Sequence, residues 1–146
     1  MERFLKPNPV ERVFNRLFGA VVSLGGGLAH NYVLQTVGRK SGRTYQTPVN
    51  LLEYDGKRWL VAPRGKAQWV YNAEASGTVT LKKGRRSQRY RVRSVDLAQR
   101  PPILKRYLEA YTPTVQRYFA VQAGVPESDF LKIADQHPVF EVQALE

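Results

Sequence analysis

Residues 32–62 read YVLQTVGRKSGRTYQTPVNLLEYDGKRWLVA, and the fold turns on how this stretch is parsed. Tyr32 to Val37 is strand-like, Gly38-Arg-Lys-Ser-Gly42 forms a turn, and Gln46 to Tyr54 resumes as a strand. Asp55-Gly56 is a strong hairpin signal, because a two-residue loop between twisted strands needs residues that tolerate positive φ. Arg58 to Ala62 is then the returning strand. Pro63-Arg64-Gly65-Lys66 makes a loop, and Gln68 to Ala75 reads as a short helix carrying Trp69 and Asn72.

Further along, Thr78 to Leu81 and Gln88 to Val95 predict a second hairpin around Lys83-Gly84-Arg85. Its return strand puts Arg89, Arg91 and Arg93 on one face and Tyr90, Val92 and Val95 nearer the other. After Asp96 the period changes. Ile103, Leu104, Tyr107, Leu108 and Tyr111 repeat at helical spacing, Pro113 breaks the helix, and Val115 to Val121 predicts a second short one. Gly124 and Pro126 punctuate the chain before a last strand at Val139 to Val142. Towards the N-terminus, Val10, Val13, Phe14, Leu17 and Phe18 form one stripe of a helix from Pro9 to about Gly19, with Asn8 as its cap. Gly25-Gly26-Gly27 lacks the Gly-Lys-Ser/Thr ending of a phosphate loop and reads as a turn before the first strand.

Hairpin-linked strands in 146 residues predict a single domain, mainly β with flanking helices (α+β), built as a small, partly open barrel. Residues 1–30 supply the N-terminal helix and glycine turn, 31–96 the barrel, and 97–146 the C-terminal helices and final strand. No strand, glycine-rich turn and full crossover helix occur in order, which argues against a Rossmann unit.

Composition narrows the chemistry. There is no cysteine, so disulfides, thiolate metal sites and a cysteine nucleophile are excluded. The two histidines, His30 and His137, make no metal-ligand spacing with each other or with clustered acids, and no metal site is expected. His137, beside Pro138, reads as a turn residue, whereas His30 remains a candidate ligand contact. No serine sits in a Gly-x-Ser-x-Gly context, and no acidic pair stands out. A chain this poor in acid–base equipment, if an enzyme, takes its chemistry from a cofactor. The longest mostly apolar run, Leu17 to Ala29, contains four glycines and is too short to cross a bilayer. A soluble cytoplasmic protein is expected, with peripheral contact at the cytoplasmic face of an anionic membrane left open.

Charge adds direction. Lys and Arg number 23 against 12 Asp and Glu, a formal net charge of +11, and the segment from Gly38 to Arg93 carries all of that excess. Such a field attracts a phosphorylated ligand, a nucleic acid or anionic lipid. Within it, Gly38-Arg39-Lys40-Ser41-Gly42-Arg43 places guanidinium, ammonium and hydroxyl donors in one glycine-bounded turn. Successive N–H groups of such a turn can form an anion nest, and Arg39 and Arg43 offer planar forks to an oxyanion. Arg64 and Lys66 make a second basic loop that faces the same pocket if the strands pair as read. Trp69 and Asn72, three apart, share a helix face as the edge of a ring-binding site, unless Trp69 is a core plug.

Gly38-Arg-Lys-Ser-Gly-Arg43, Thr47-Pro48, Leu60-Val-Ala-Pro-Arg-Gly-Lys66 and Trp69-Val-Tyr-Asn72 together resemble the deazaflavin-dependent nitroreductase family, over about Tyr32 to Val95. The resemblance implies a split β-barrel of the FMN-binding, pyridoxamine-phosphate-oxidase-like type. It also implies coenzyme F420 as cofactor and hydride transfer from its reduced form to a quinone, nitroaromatic or other electron-poor small molecule. By the same likeness Arg39, Lys40, Ser41 and Arg43 grip the phosphate, and Thr47 and Pro48 lie beside the cofactor. Ala62, Pro63, Arg64, Gly65 and Lys66 approach the ring and phosphate, and Trp69 and Asn72 edge the pocket. Tyr107 and Tyr111 are the expected catalytic tyrosines at the acceptor.

Two departures from the family pattern stand out. Pro63-Arg64-Gly65-Lys66 replaces a usual Ser-Lys-Gly-Gly, and Ala73-Glu74-Ala75-Ser76-Gly77 follows Asn72 in place of Leu-x-Ala-Asn-Pro. The alternatives are an FMN-binding barrel of the same type, and a basic barrel that binds nucleic acid or anionic membrane without catalysis. Arg89, Arg91 and Arg93 would meet the cofactor's polyglutamyl tail, a membrane, or solvent. Oligomeric state stays open.

Overall fold

A computed structural model describes residues 31–145; the helix expected at 9–19, the glycine turn at 25–27 and His30 lie outside them. Seven strands form one antiparallel sheet: β1 (Asn31–Val37), β2 (Thr44–Asn50), β3 (Leu52–Tyr54), β4 (Lys57–Val61), β5 (Thr78–Lys83), β6 (Arg86–Ser94) and β7 (Val139–Ala144). Helix α1 (Gln68–Ser76) is inserted between β4 and β5, and α2 (Arg100–Ala110), α3 (Thr112–Val115) and α4 (Glu127–Leu131) lie between β6 and β7.

The strand order is β2-β1-β5-β6-β7-β4-β3. β2 and β3 are thus the two opposite edges of the sheet, yet only Leu51 separates them in sequence. A flat sheet cannot satisfy both conditions, so the sheet curls until its edges meet at Leu51. The molecule is a split β-barrel. This corrects one expectation, since the single strand expected from Gln46 to Tyr54 is two, β2 paired with β1 and β3 with β4. Asp55 and Gly56 join β3 to β4 with φ of 58° and 71°, the left-handed pair the two-residue loop requires.

Alternation along the strands makes two cores. Leu34, Leu60, Leu81, Tyr90, Val92, Phe140 and Val142 fill the barrel, with Val70 and Ala73 of α1 among them. On the other face of β4 and β7, Trp59, Val61 and Val139 pack against Ile103, Leu104, Tyr107 and Leu108 of α2 and against Phe119 and Phe130. The helix expected over Val115 to Val121 is shorter. Pro113 sits in the first turn of α3, a 3-10 turn follows at Gln116–Tyr118, and Phe119 is already extended. The β-branched Thr112, Thr114 and Val115 do little to prolong a helix. α4 was not anticipated. His137 lies at the bend before β7, as expected, but its ring is buried and stacked on Phe119 at 4.1 Å.

The arginine face of β6 is not uniform. Arg93 lies opposite Glu141 of β7, and its Nη2 donates to Glu141 Oε1 at 2.6 Å while Gln143 Nε2 donates to Oε2 at 3.1 Å. These donors hold the Glu141 carboxyl below the ordinary glutamate range. A depressed folded value means that the unfolded chain binds the proton more readily. The stabilisation is therefore complete above the unfolded value and lost as pH falls through the folded one. Thermal melts from neutral to acid pH should show this loss, and Glu141→Gln should flatten it. An unchanged acid limb in the variant would rule the pair out as its source.

Candidate functional site

The turn after β1 is built by its own backbone. Gly38 N–H donates to Arg43 O at 2.7 Å and Gly42 N–H to Gly38 O at 2.9 Å, with Gly42 at a φ of 72°. Gly38 is the tight point, because a Cβ there would stand 2.7 Å from Tyr45 Cε2 and 2.8 Å from Ser41 Oγ. Ser41 Oγ accepts from Arg43 N–H at 3.2 Å and lies 3.3 Å from the Tyr45 hydroxyl.

Helix α1 meets this turn with its start. Ala67 caps the helix without a side-chain hydrogen bond, and the first turn holds no acid, which leaves the partial positive charge of the helix N-terminus uncompensated. Gln68, Tyr71 and Asn72 share one face of it. Asn72 is buried; its Oδ1 accepts from the Arg39 backbone N–H at 3.2 Å and from Arg39 Nη1 at 2.9 Å, and its Nδ2 donates to Thr36 Oγ1 at 3.4 Å. Arg39 Nη1 also donates to Gln68 Oε1 at 3.0 Å, and the guanidinium lies over the Tyr71 ring at 5.0 Å. Lys66 Nζ approaches the same ring at 4.7 Å and pairs with Glu74 at 3.2 Å.

Between turn, β2 and helix start lies a cavity of about 500 Å³, lined among others by Arg39, Lys40, Ser41, Thr47, Trp69 and Asn72. Six of the residues picked from sequence therefore converge. Arg43, Pro48, Ala62, Pro63, Arg64, Gly65 and Lys66 are not among its lining residues. Ala62 N–H donates to Pro138 O at 2.9 Å, tying the loop to the start of β7. Gly65 takes a φ of 98° in that loop. Arg64 turns towards the C-terminal layer, over the Tyr118 ring at 5.4 Å, and burial lowers its pKa. Trp69 is half-buried against Phe140, with ring centroids 5.8 Å apart, so it is at once pocket wall and core neighbour.

Tyr107 and Tyr111, expected at the acceptor, are not among the lining residues of this cavity either; their rings are in edge contact at 5.2 Å. Tyr111 donates its hydroxyl to Leu51 O at 2.8 Å. Tyr107 is buried, and burial raises its pKa, against a hydrogen bond with Asn50. Burial and then the Glu53 charge raise that of Tyr111. Both phenols hold the junction of β2 and β3. Thr36, Tyr45 and Gln68 also line the cavity and were missed from sequence. Only the i, i+4 spacing of Gln68 and Asn72 and the alternation of Tyr45 with Thr47 hinted at them.

The donor set suits an anion attached to a flat ring: a guanidinium, an ammonium, a hydroxyl and a helix start around the turn, with an indole at the wall. The F420H(2)-dependent quinone reductase family model matches residues 11–126. The chain belongs to that family. The family's name makes it one of F420H(2)-dependent oxidoreductases. Among curated proteins, none matches the chain. Among solved structures, one described as a domain-swapped dimer is 24% identical, with a TM-score of 0.57 over 92% of this chain and 93% of its own. An F420-H2 dependent reductase is 24% identical, with a TM-score of 0.52 over 79% of this chain and 95% of its own. Atu2129, of unknown function, from Agrobacterium tumefaciens str. C58, is 19% identical, with a TM-score of 0.53 over 99% of this chain and 59% of its own. These likenesses show the fold. Among the described residues, no helix is long and apolar enough to cross a membrane, and no group of His, Asp and Glu gathers as a metal site.

Proposed function

We propose that the protein binds coenzyme F420 with its phosphate at the Gly38–Gly42 turn, and catalyses hydride transfer from the reduced cofactor to a quinone or nitroaromatic. The observation that carries this reading is the convergence of Arg39, Lys40, Ser41, Thr47, Trp69 and Asn72 on one cavity of about 500 Å³, in a chain of this family. When bound, the reduced deazaflavin supplies the hydride, from C5. The rest falls to the chain. Arg39 and Lys40 neutralise the phosphate, the Ser41 hydroxyl bonds one of its oxygens, and Trp69 bounds the ring. Tyr107 and Tyr111 act as positioning residues here, fixing Asn50 and Leu51 and through them the strand that carries Thr47 and Pro48.

The test is a fluorescence titration of the protein with F420, with FMN in parallel at the same ionic strength, followed by oxidation of F420H2 in the presence of a soluble quinone or nitroaromatic. Micromolar or tighter F420 binding with acceptor-dependent turnover is the expected result. FMN binding in place of F420 would keep the barrel and change the cofactor, and silence from both would overturn the reading.

A further inference from the structure

Arg39 is held in a way that divides its donors. Both hydrogens of Nη1 are used, one towards Gln68 Oε1 and one towards Asn72 Oδ1. A guanidinium has five N–H donors in a fixed plane, so Nε–H and the two Nη2 hydrogens remain, without a partner among the described residues. Nε–H and one Nη2–H are parallel, the side-on fork that binds two oxygens of a phosphate. Everything that fixes the group is uncharged: two side-chain amides and the Tyr71 ring. A carboxylate in either amide position would hold the guanidinium as firmly and cancel the charge on which an anion depends.

We infer that Asn72 is a positioning residue that pre-organises Arg39 for an anionic ligand while leaving its charge uncompensated. It is the keystone because one buried oxygen takes both the Arg39 side chain and the Arg39 backbone N–H, which locks the turn to α1. The bond from its Nδ2 to the buried Thr36 hydroxyl fixes which end of the amide faces the arginine. An arginine left loose would lose its rotamer freedom on binding, whereas here that freedom is already spent. The inference rests on the proposed anionic cofactor, and its two halves can be tested apart from it.

Wild type, Asn72→Ala and Asn72→Asp are compared. Nitrogen NMR of the Arg39 guanidinium in the ligand-free protein reads the positioning. Restricted rotation and separate Nη signals are expected in wild type and Asn72→Asp, and averaging in Asn72→Ala; averaged signals in wild type would overturn the clamp. Titration with F420 reads the charge. Asn72→Ala should weaken binding about tenfold. Asn72→Asp, which keeps both acceptor contacts, should weaken it further and flatten its salt dependence. A residue needed only for structure predicts the reverse order, so wild-type affinity in Asn72→Asp sinks the inference. Failure of wild type to bind F420 overturns the cofactor reading alone. Inorganic pyrophosphate then replaces F420 across the same three proteins, and equal affinities would overturn the inference.

Discussion

Phe140→Ala should lower folding stability by about 3–5 kcal/mol, the usual cost of emptying a phenyl-sized space in a core, and the melting temperature by roughly 10 °C. Phe140 is 2% exposed, on β7, and its ring faces the barrel interior. The strand pairs with β4 on one side and β6 on the other, so the walls of the void would belong to three strands tied by backbone hydrogen bonds. Such walls relax little, which puts the effect in the upper part of the range. Trp69 leans on the same ring at 5.8 Å, so the pocket wall should loosen with the core. The check is a denaturant melt with ligand affinity measured well below the transition. Phe140→Leu should recover most of the stability, and a loss under about 1 kcal/mol in Phe140→Ala would show that the barrel is not packed as described.

Arg39→Ala should reduce F420 affinity roughly a hundredfold, about 3 kcal/mol, the worth of two hydrogen bonds to a charged group. The side chain is exposed, so the fold should survive. Asn72 Oδ1 keeps the Arg39 backbone N–H and loses only the Nη1 donor, a stability cost of about 1 kcal/mol. Arg39→Lys should regain part of the affinity, since an ammonium restores the charge but not the fork. The salt dependence of binding should flatten in the alanine variant and return in the lysine one. Affinity in Arg39→Ala within threefold of wild type, about 0.7 kcal/mol, would move the phosphate away from this turn.

The strands were legible because period-two alternation and Asp55-Gly56 are local signals, and the Asp-Gly loop has the two positive φ angles it implied. The break at Leu51 was not. Asn50, Leu51 and Leu52 read as continuous strand, and what separates them is that β2 pairs with β1 while β3 pairs with β4. Pairing partners of this kind are set by tertiary closure, which no window of sequence contains. The same limit applies to the site. Arg39, Lys40 and Ser41 announce themselves as a basic turn. Thr36, Gln68 and Tyr71 matter only because α1 is laid against that turn, and nothing in their own neighbourhood says so. Tyr107 and Tyr111 were read from helical spacing as aromatic residues of one face, and they do share it. Their tie to Asn50 and Leu51 came only with the fold.

The position of β7 has a consequence for how the chain reaches this state. It is the last strand in sequence but stands between β6 and β4, so Arg58 must find Val142 and Arg93 must find Glu141 before the barrel can close. Contacts so distant in sequence make for slow folding. Until they form, β4 and β6 each present a bare row of amides and carbonyls, open to any other extended chain. Arg58 on one such edge, and Arg89, Arg91 and Arg93 on the other, put like charges on both. Charged side chains along an unpaired strand edge disfavour edge-to-edge association, so each of these two edges carries that protection until β7 covers it.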